Sequence, residues 1–158
     1  MTKTIRIGCA SGFYGDSQLA ARQLVDAGNI DYLVFDYLAE ITMAILAKAR
    51  SRDDNLGYAV DFVTVAMKDV LADCARKGIK VVANAGGVNV PACIAALEAL
   101  CQQQGLNLKI GGVYGDNLIG RDDLPWDGMT ETQTGEAMPD RPASVNAYLG
   151  ARPVADAL

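Results

Sequence analysis

Several polar residues in this chain come directly after short apolar runs. Ser11 ends a run that begins near Ile5, Asp36 follows Tyr32-Leu-Val-Phe35, and Asn84 follows Val81-Val-Ala83. Asp116 stands one glycine after Val113-Tyr114. Each residue type suits a particular chemistry. Asp36 can take a proton as a general base, and Asn84 can donate to a carbonyl or an oxyanion, helped by the N–H groups of Gly86 and Gly87. Glu40 comes four residues after Asp36 and faces the same site if a helix begins near Asp36. The plainer reading is that Asp36 or Glu40 caps that helix and complements its dipole. Asp116 suits a ribose hydroxyl, a Mg²⁺ shared with Asp36, or simply the start of a turn.

The stretch Ile5-Arg-Ile-Gly-Cys-Ala-Ser-Gly-Phe-Tyr-Gly-Asp-Ser17 adds a second kind of chemistry. A strand, a glycine-punctuated turn and a capped helix start leave backbone N–H groups free to meet an anion. Ser11, Gly12 and Gly15 are the candidate cradle. Their glycines serve equally well in a tight turn that needs positive φ. The stretch lacks a P-loop lysine and fits the dinucleotide fingerprint poorly. Cys9 is either a nucleophile with a lowered pKa or, more simply, a small buried residue ending a strand.

The elements that hold these residues follow from the hydrophobic pattern. Strands are predicted over residues 4–9, 30–35, 79–83 and 108–114. Helices are predicted over residues 16–27, from 40 or 41 to 50, 60–76 and 90–104. Asp16 or Ser17 is the expected cap of the first helix, Gly78 the C-terminal stop of the third, and Asn89 with Pro91 the start of the fourth. This alternation predicts an α/β protein with a mostly parallel sheet, helices on both faces, and a Rossmann-like or flavodoxin-like strand order. In such sheets ligands bind at the carboxyl ends of the strands, where Cys9, Ser11, Gly12, Asp36, Asn84, Gly86, Gly87 and Asp116 fall. Residues 118–143 are rich in polar residues and prolines and read as an irregular loop or lid. Residues 145–149 are a fifth strand, or a short helix capped by Ser144.

The totals narrow the function classes. The chain has 158 residues and a formal charge of −5, from 14 Lys and Arg against 19 Asp and Glu. One α/β domain is expected. No basic stripe suits a nucleic acid, and no apolar run suits a membrane span. The chain has no histidine, which excludes an internal Ser-His-Asp triad, a Cys-His pair and histidine-ligated zinc. Its four cysteines lack paired metal-ligand spacing, so no metal site is predicted. They are expected to stay reduced in the cytoplasm. Cys74, Cys93 and Cys101, with Met43 and Met67, read as core.

After Gly150 the sequence opens a helix at Pro153 and stops at Leu158. This predicts a homo-oligomer, or a partner chain that carries a continuation. A non-catalytic binding or assembly subunit is therefore the alternative to an enzyme. A small flavodoxin-like regulator, with Asp36 as phosphoryl acceptor, is a third reading.

Four blocks carry a family resemblance, in order along almost the whole chain. They are Gly8-Cys-Ala-Ser-Gly-Phe-Tyr-Gly-Asp-Ser17, Asp31-Tyr-Leu-Val-Phe-Asp-Tyr-Leu-Ala-Glu40, Val82-Ala-Asn-Ala-Gly-Gly-Val-Asn89 and Ser144-Val-Asn-Ala-Tyr-Leu-Gly-Ala151. Together they resemble the N-terminal signature of the acyclic terpene utilisation (AtuA-type) family. The resemblance implies a role in breakdown of citronellol- and geraniol-type terpenes and related branched acids. It also implies a CoA thioester as substrate, lyase- or hydratase-type chemistry, and a longer family architecture of which this chain is the N-terminal part. The loop after Asp116 is shorter than the family pattern.

Overall fold

Three short parallel strands carry the candidate site. The computed structural model describes residues 4–131 and 133–158. Its strands β1 (Ile7–Ser11), β2 (Tyr32–Phe35) and β3 (Lys80–Ala83) form one sheet in the order β1-β2-β3. Ile7 lies opposite Tyr32, and Tyr32 opposite Lys80. Helix α1 (Ala20–Ala27) joins β1 to β2. Between β2 and β3 lie α2 (Glu40–Arg50), a π-helical segment (Phe62–Met67) and α3 (Lys68–Lys77), and α4 (Val90–Gln103) follows β3. The fold is α/β, as the alternation predicts. With β2 in the middle, the order matches the first half of a Rossmann sheet. It differs from the flavodoxin order, in which β1 is central.

Both crossovers step across the sheet in the same direction. Right-handed connections of that kind deliver their helices to one face. That face holds Ala10, Leu33 and Phe35, which pack with Val25 of α1, with Val70, Leu71 and Cys74 of α3, and with Cys93 and Leu100 of α4. Burying each such aliphatic side chain contributes about 1.5–3 kcal/mol. Among the described residues of Met1–Gly112 the opposite face is the less covered one. Ile7 is 61% exposed, Cys9 is exposed, and Tyr32, Val34 and Val82 are only half-buried. Helices on both faces would need the chain to reverse direction after β3. The strand expected at residues 108–114 to make that reversal is not formed. Its run is broken by Gly111-Gly112, which weaken strand formation, and the backbone there is irregular.

Local signals explain most boundaries. Gly78 ends α3 in the left-handed conformation at φ 70°. The Asn89 side chain accepts the N–H of Ala92 and starts α4, with Pro91 in its first turn. Helix α1 begins later than expected. Ser17 Oγ accepts the N–H groups of Leu19 and Ala20, whereas the Asp16 carboxylate turns back to the preceding loop. The segment predicted as a plain helix from residue 60 contains a π-helical stretch. Its buried residues Phe62, Ala66, Val70 and Cys74 repeat every four positions, as do Val63, Met67 and Leu71. On a 3.6-residue helix such a pattern drifts by about 40° per repeat. A wider π turn keeps these side chains on the core.

Val113–Leu158 forms a second compact unit. It contains α5 (Arg152–Ala157), with Pro153 in the first turn. Antiparallel bridges join Asn117 to Asn146 and Thr130 to Ala137. The described part of residues 118–143 is built mainly of turns and irregular backbone. Residues 145–149 form neither the strand nor the short helix expected of them. Their bridge at Asn146 is isolated, and Tyr148 is 92% exposed.

Candidate functional site

The carboxyl ends of the three strands are tied together side by side. At the end of β1 the register slips between Cys9 and Ser11, so Ala10 and Ser11 are both buried. A bulge of this kind re-aims the next side chain. Here it turns Ser11 inward, and its Oγ donates to the Asp36 carbonyl oxygen at 3.3 Å. The ladder continues past the strands, with the N–H of Asp36 bonded to Ser11 O and the N–H of Asn84 to Phe35 O. Asn84 Nδ2 donates to Asp36 Oδ1 at 2.7 Å, and Asn84 Oδ1 accepts the N–H of Tyr37 at 2.8 Å. The fold thus brings Ser11, Asp36 and Asn84 into one network. The Asp36 carboxylate is at the surface, and the second Nδ2 hydrogen of Asn84 remains available to a ligand.

The loop after β1 already holds a negative charge. The N–H of Gly12 donates to Asp16 Oδ2 at 2.9 Å. The N–H groups of Phe13, Tyr14 and Gly15 take no partner among the described residues. Gly15 has φ 82°, and a Cβ there would meet nothing within 4 Å. With Asp16 and Asp36 at the same sheet edge, a neutral carbonyl suits this loop better than a phosphate does.

The Asn84 turn is shaped by packing. Gly87 has φ 53°, and a Cβ on it would lie 2.4 Å from Leu46 Cδ1 and 2.6 Å from Gly57 O. The N–H of Val88 bonds to Gly57 O, and that of Ala59 to Ala85 O. Gly87 therefore permits a close backbone approach, and its own N–H returns to Asn84 O. The N–H of Gly86 takes no partner among the described residues. Asn89 is a structural cap, its Nδ2 held by the carbonyls of Asp54 and Leu56.

Residues 5–158 match the family model described as acyclic terpene utilisation family protein AtuA. The chain belongs to the acyclic terpene utilisation family. No match is found among curated proteins or among solved structures. Membership gives this AtuA-family chain a role related to acyclic terpene utilisation.

Helix α2 begins at Glu40, so Asp36 lies outside it and the two acids do not share a helical face. Glu40 stands exposed in the first turn, where its charge complements the helix dipole. The Cys9 thiol, on the open sheet face, donates to Ser11 O at 3.1 Å. Asp116 lies in the second unit rather than at a strand end. Its carboxylate accepts Asn146 Nδ2 at 3.0 Å, and its carbonyl accepts the N–H of Ala147. Among the described residues no group of His, Cys, Asp and Glu is gathered to hold a metal ion. No described helix is long and apolar enough to cross a membrane.

Sequence reasoning missed an aromatic cluster beside the strand ends. Tyr37 stacks on Phe35 with centroids 5.7 Å apart, and meets Tyr14 edge-on at 6.2 Å and Phe62 at 6.1 Å. Asp61 precedes the π-helical segment, and its Oδ1 accepts the N–H of Phe62 at 3.0 Å. Burial raises the Asp61 carboxyl above the usual aspartate value. Burial first, and then the Asp61 charge, raise the phenols of Tyr14 and Tyr37. The available signal was positional. Tyr14 and Tyr37 each follow a strand end closely, and Asp61-Phe62 interrupts an apolar helix start.

Proposed function

We propose that this family member is an enzyme, or part of one, that binds an acyl-CoA or its carboxylate and moves a proton beside the carbonyl. The observation that carries the reading is the Asn84–Asp36 hydrogen bond at the strand ends. Asp36 is the base, with Glu40 as a second carboxylate nearby in sequence. The free Asn84 Nδ2 hydrogen and the N–H groups of the loop after β1 receive the carbonyl oxygen. Cys9, Ser11, Gly12, Gly15, Gly86 and Gly87 belong to the proposed binding surface. Deprotonation next to a thioester is the step that lyase and hydratase chemistry on such substrates shares. The reading places the protein in the cytoplasm.

The test uses isovaleryl-CoA in D2O, with deuterium at the carbon next to the carbonyl followed by mass spectrometry. Wild-type protein is expected to catalyse the exchange, and Asp36→Asn to lose it. No exchange by the wild type, with no thermal shift on adding CoA thioesters, would sink this reading.

A second reading is favoured by the open sheet face around Ile7 and Cys9. It is an assembly subunit whose face is covered by another copy or a partner chain. Light scattering coupled to size exclusion separates the two: a monomer that catalyses exchange supports the first reading, an inert oligomer the second.

A further inference from the structure

We infer that α2 is a self-association surface: two copies of this chain pair their α2 helices antiparallel, about a two-fold axis between Ala44 and Ile45. The inference rests on neither reading of the strand ends and does not involve the sheet face around Ile7 and Cys9.

The sequence of α2 suits a helix covered on both sides. Ile41, Met43, Ala44, Ile45 and Leu46 place apolar groups all the way round it. A helix of that kind is normally buried, yet among the described residues only one side of α2 is. Thr42 and Leu46 are buried there, and Leu46 rests on Gly87. Arg50 Nη1 donates to the Val88 carbonyl and fastens the same side to the Asn84 turn. The other side is bare. Ile41 is 76% exposed, more than any other large apolar side chain described up to Gly112, and Ile45, one turn on, is 51% exposed. Glu40, Ala44 and Lys48 are exposed too. At 3.6 residues per turn these five residues share a sector of about 140°.

Charge and shape name the occupant of this face. Glu40 and Lys48 stand towards its two ends, and neither has a partner among the described residues. They lie eight positions apart, about 12 Å along the axis, whereas pairs within one helix form at three or four positions. A second copy running antiparallel reverses the order of the charges. The two-fold axis then sets Ile41 opposite Lys48 of the second copy and Ala44 opposite its Ile45. The Lys48 stem covers Ile41, and its ammonium reaches Glu40 beside it. The small side chain of Ala44 leaves the hollow that Ile45 of the second copy fills. Each contact occurs twice, as in any isologous interface, and helix ends of opposite polarity come together. A parallel arrangement would set Glu40 against Glu40 and Lys48 against Lys48.

The contact is small. The 11 residues of α2 span about 16 Å, so one helix pair buries less than the roughly 1,200 Å² of a stable interface. The dimer is therefore reversible and depends on concentration. Leu46 lies across the helix from the paired stripe, so each copy keeps its Asn84 turn behind its own α2.

The test is sedimentation velocity on the full chain, from micromolar to submillimolar concentration. Wild type is expected to pass from monomer to dimer. Ile41→Ser alters an exposed side chain, so its thermal melt should match wild type while it stays monomeric. Glu40→Lys alone and Lys48→Glu alone each put like charges across the axis, and each should dimerise about tenfold more weakly. Mixed in equal amounts, the two variants regain both opposite-charge pairs in the mixed dimer, and association should return towards that of wild type. Charges that serve only their own helix would give no such recovery. The inference is overturned if wild type stays monomeric throughout, if Ile41→Ser dimerises as wild type does, or if the mixture associates no more tightly than its components. An association that survives Ile41→Ser and shields Cys9 from a thiol reagent would belong to the sheet face instead.

Discussion

Asn84 reaches Asp36 with its amide nitrogen at 2.7 Å and holds the N–H of Tyr37 with its amide oxygen at 2.8 Å. One carboxamide from the end of β3 thus orients a surface carboxylate and fixes the chain that leads away from β2. Its two bonds differ in what their loss would cost. The Tyr37 N–H sits in a part-buried position and would be left without an acceptor, whereas Asp36 is exposed and can turn to water. Asn84→Ala is expected to destabilise the fold by about 1–3 kcal/mol. Asp36→Ala is expected to cost less than about 1 kcal/mol. Urea denaturation of both variants measures the difference, and equal small losses would contradict the account of Tyr37.

The glycines of the same turn should respond unequally. A methyl at Gly87 meets the Gly57 carbonyl at 2.6 Å and adopts φ 53°, and backbone cannot swing aside as a side chain can. A methyl at Gly86 meets Val90 Cγ2 at 2.8 Å, the tip of a side chain. Gly87→Ala should cost about 2–4 kcal/mol and Gly86→Ala about 1 kcal/mol. Thermal melts give the ranking, and a reversed order would be inconsistent with this packing.

Acid should find a specific weakness at α1 and α3. Arg22 bonds to Asp69 and Asp73, and Asp73 also pairs with Arg76. The Arg22 hydrogen bond, then that of Arg76, holds the Asp73 carboxyl down at about 2. Because the folded value lies below the unfolded one of about 3.9, the pair's contribution is complete above that value. It is lost as pH falls towards about 2. Arg22→Gln should therefore flatten the stability curve in this window and leave its slope near neutrality unchanged. Melting temperatures measured at a series of pH values test this. In the second unit Arg121 holds Asp123 down in the same way, also at about 2, and supplies a comparison.

Thiol labelling reads the open sheet face directly. Cys9 is exposed, and Cys74, Cys93 and Cys101 are buried. In the native isolated chain a thiol reagent should modify Cys9 quickly and the other three only after unfolding. Cys9→Ser should abolish the fast phase. A slow native Cys9 that becomes fast on dilution would place a second copy on that face.

Much of this fold is legible in the sequence because caps are local. Gly78, Asn89, Pro91 and the limits of α2 need only neighbouring residues to act. The strands are harder, since an apolar run becomes a strand only when an edge is there to receive it. Residues 30–35 find such an edge, whereas residues 108–114 carry two glycines in mid-run and form none. Ser11, Asp36 and Asn84 are legible as strand-end residues. Their hydrogen bonds to one another depend on the bulge in β1, which no periodicity reveals. Asp16 illustrates the same limit. It looks like a helix cap, yet the nearby Gly12 N–H takes its carboxylate. The π-helical register was written in the four-residue repeat of Phe62, Ala66, Val70 and Cys74, but that repeat resembles an ordinary amphipathic stripe.

The π-helical segment Phe62–Met67 uses one residue more than an α-helix needs to sweep nearly the same rotation. Removing one residue there would return the stretch to ordinary α-helix and leave both flanks close to their present orientation. Ala59 would keep its bond to Ala85 O, and Val70, Leu71 and Cys74 their places in the core. Chain length is therefore adjustable at this one point, and relatives that differ by a single residue here can share the rest of the packing unchanged.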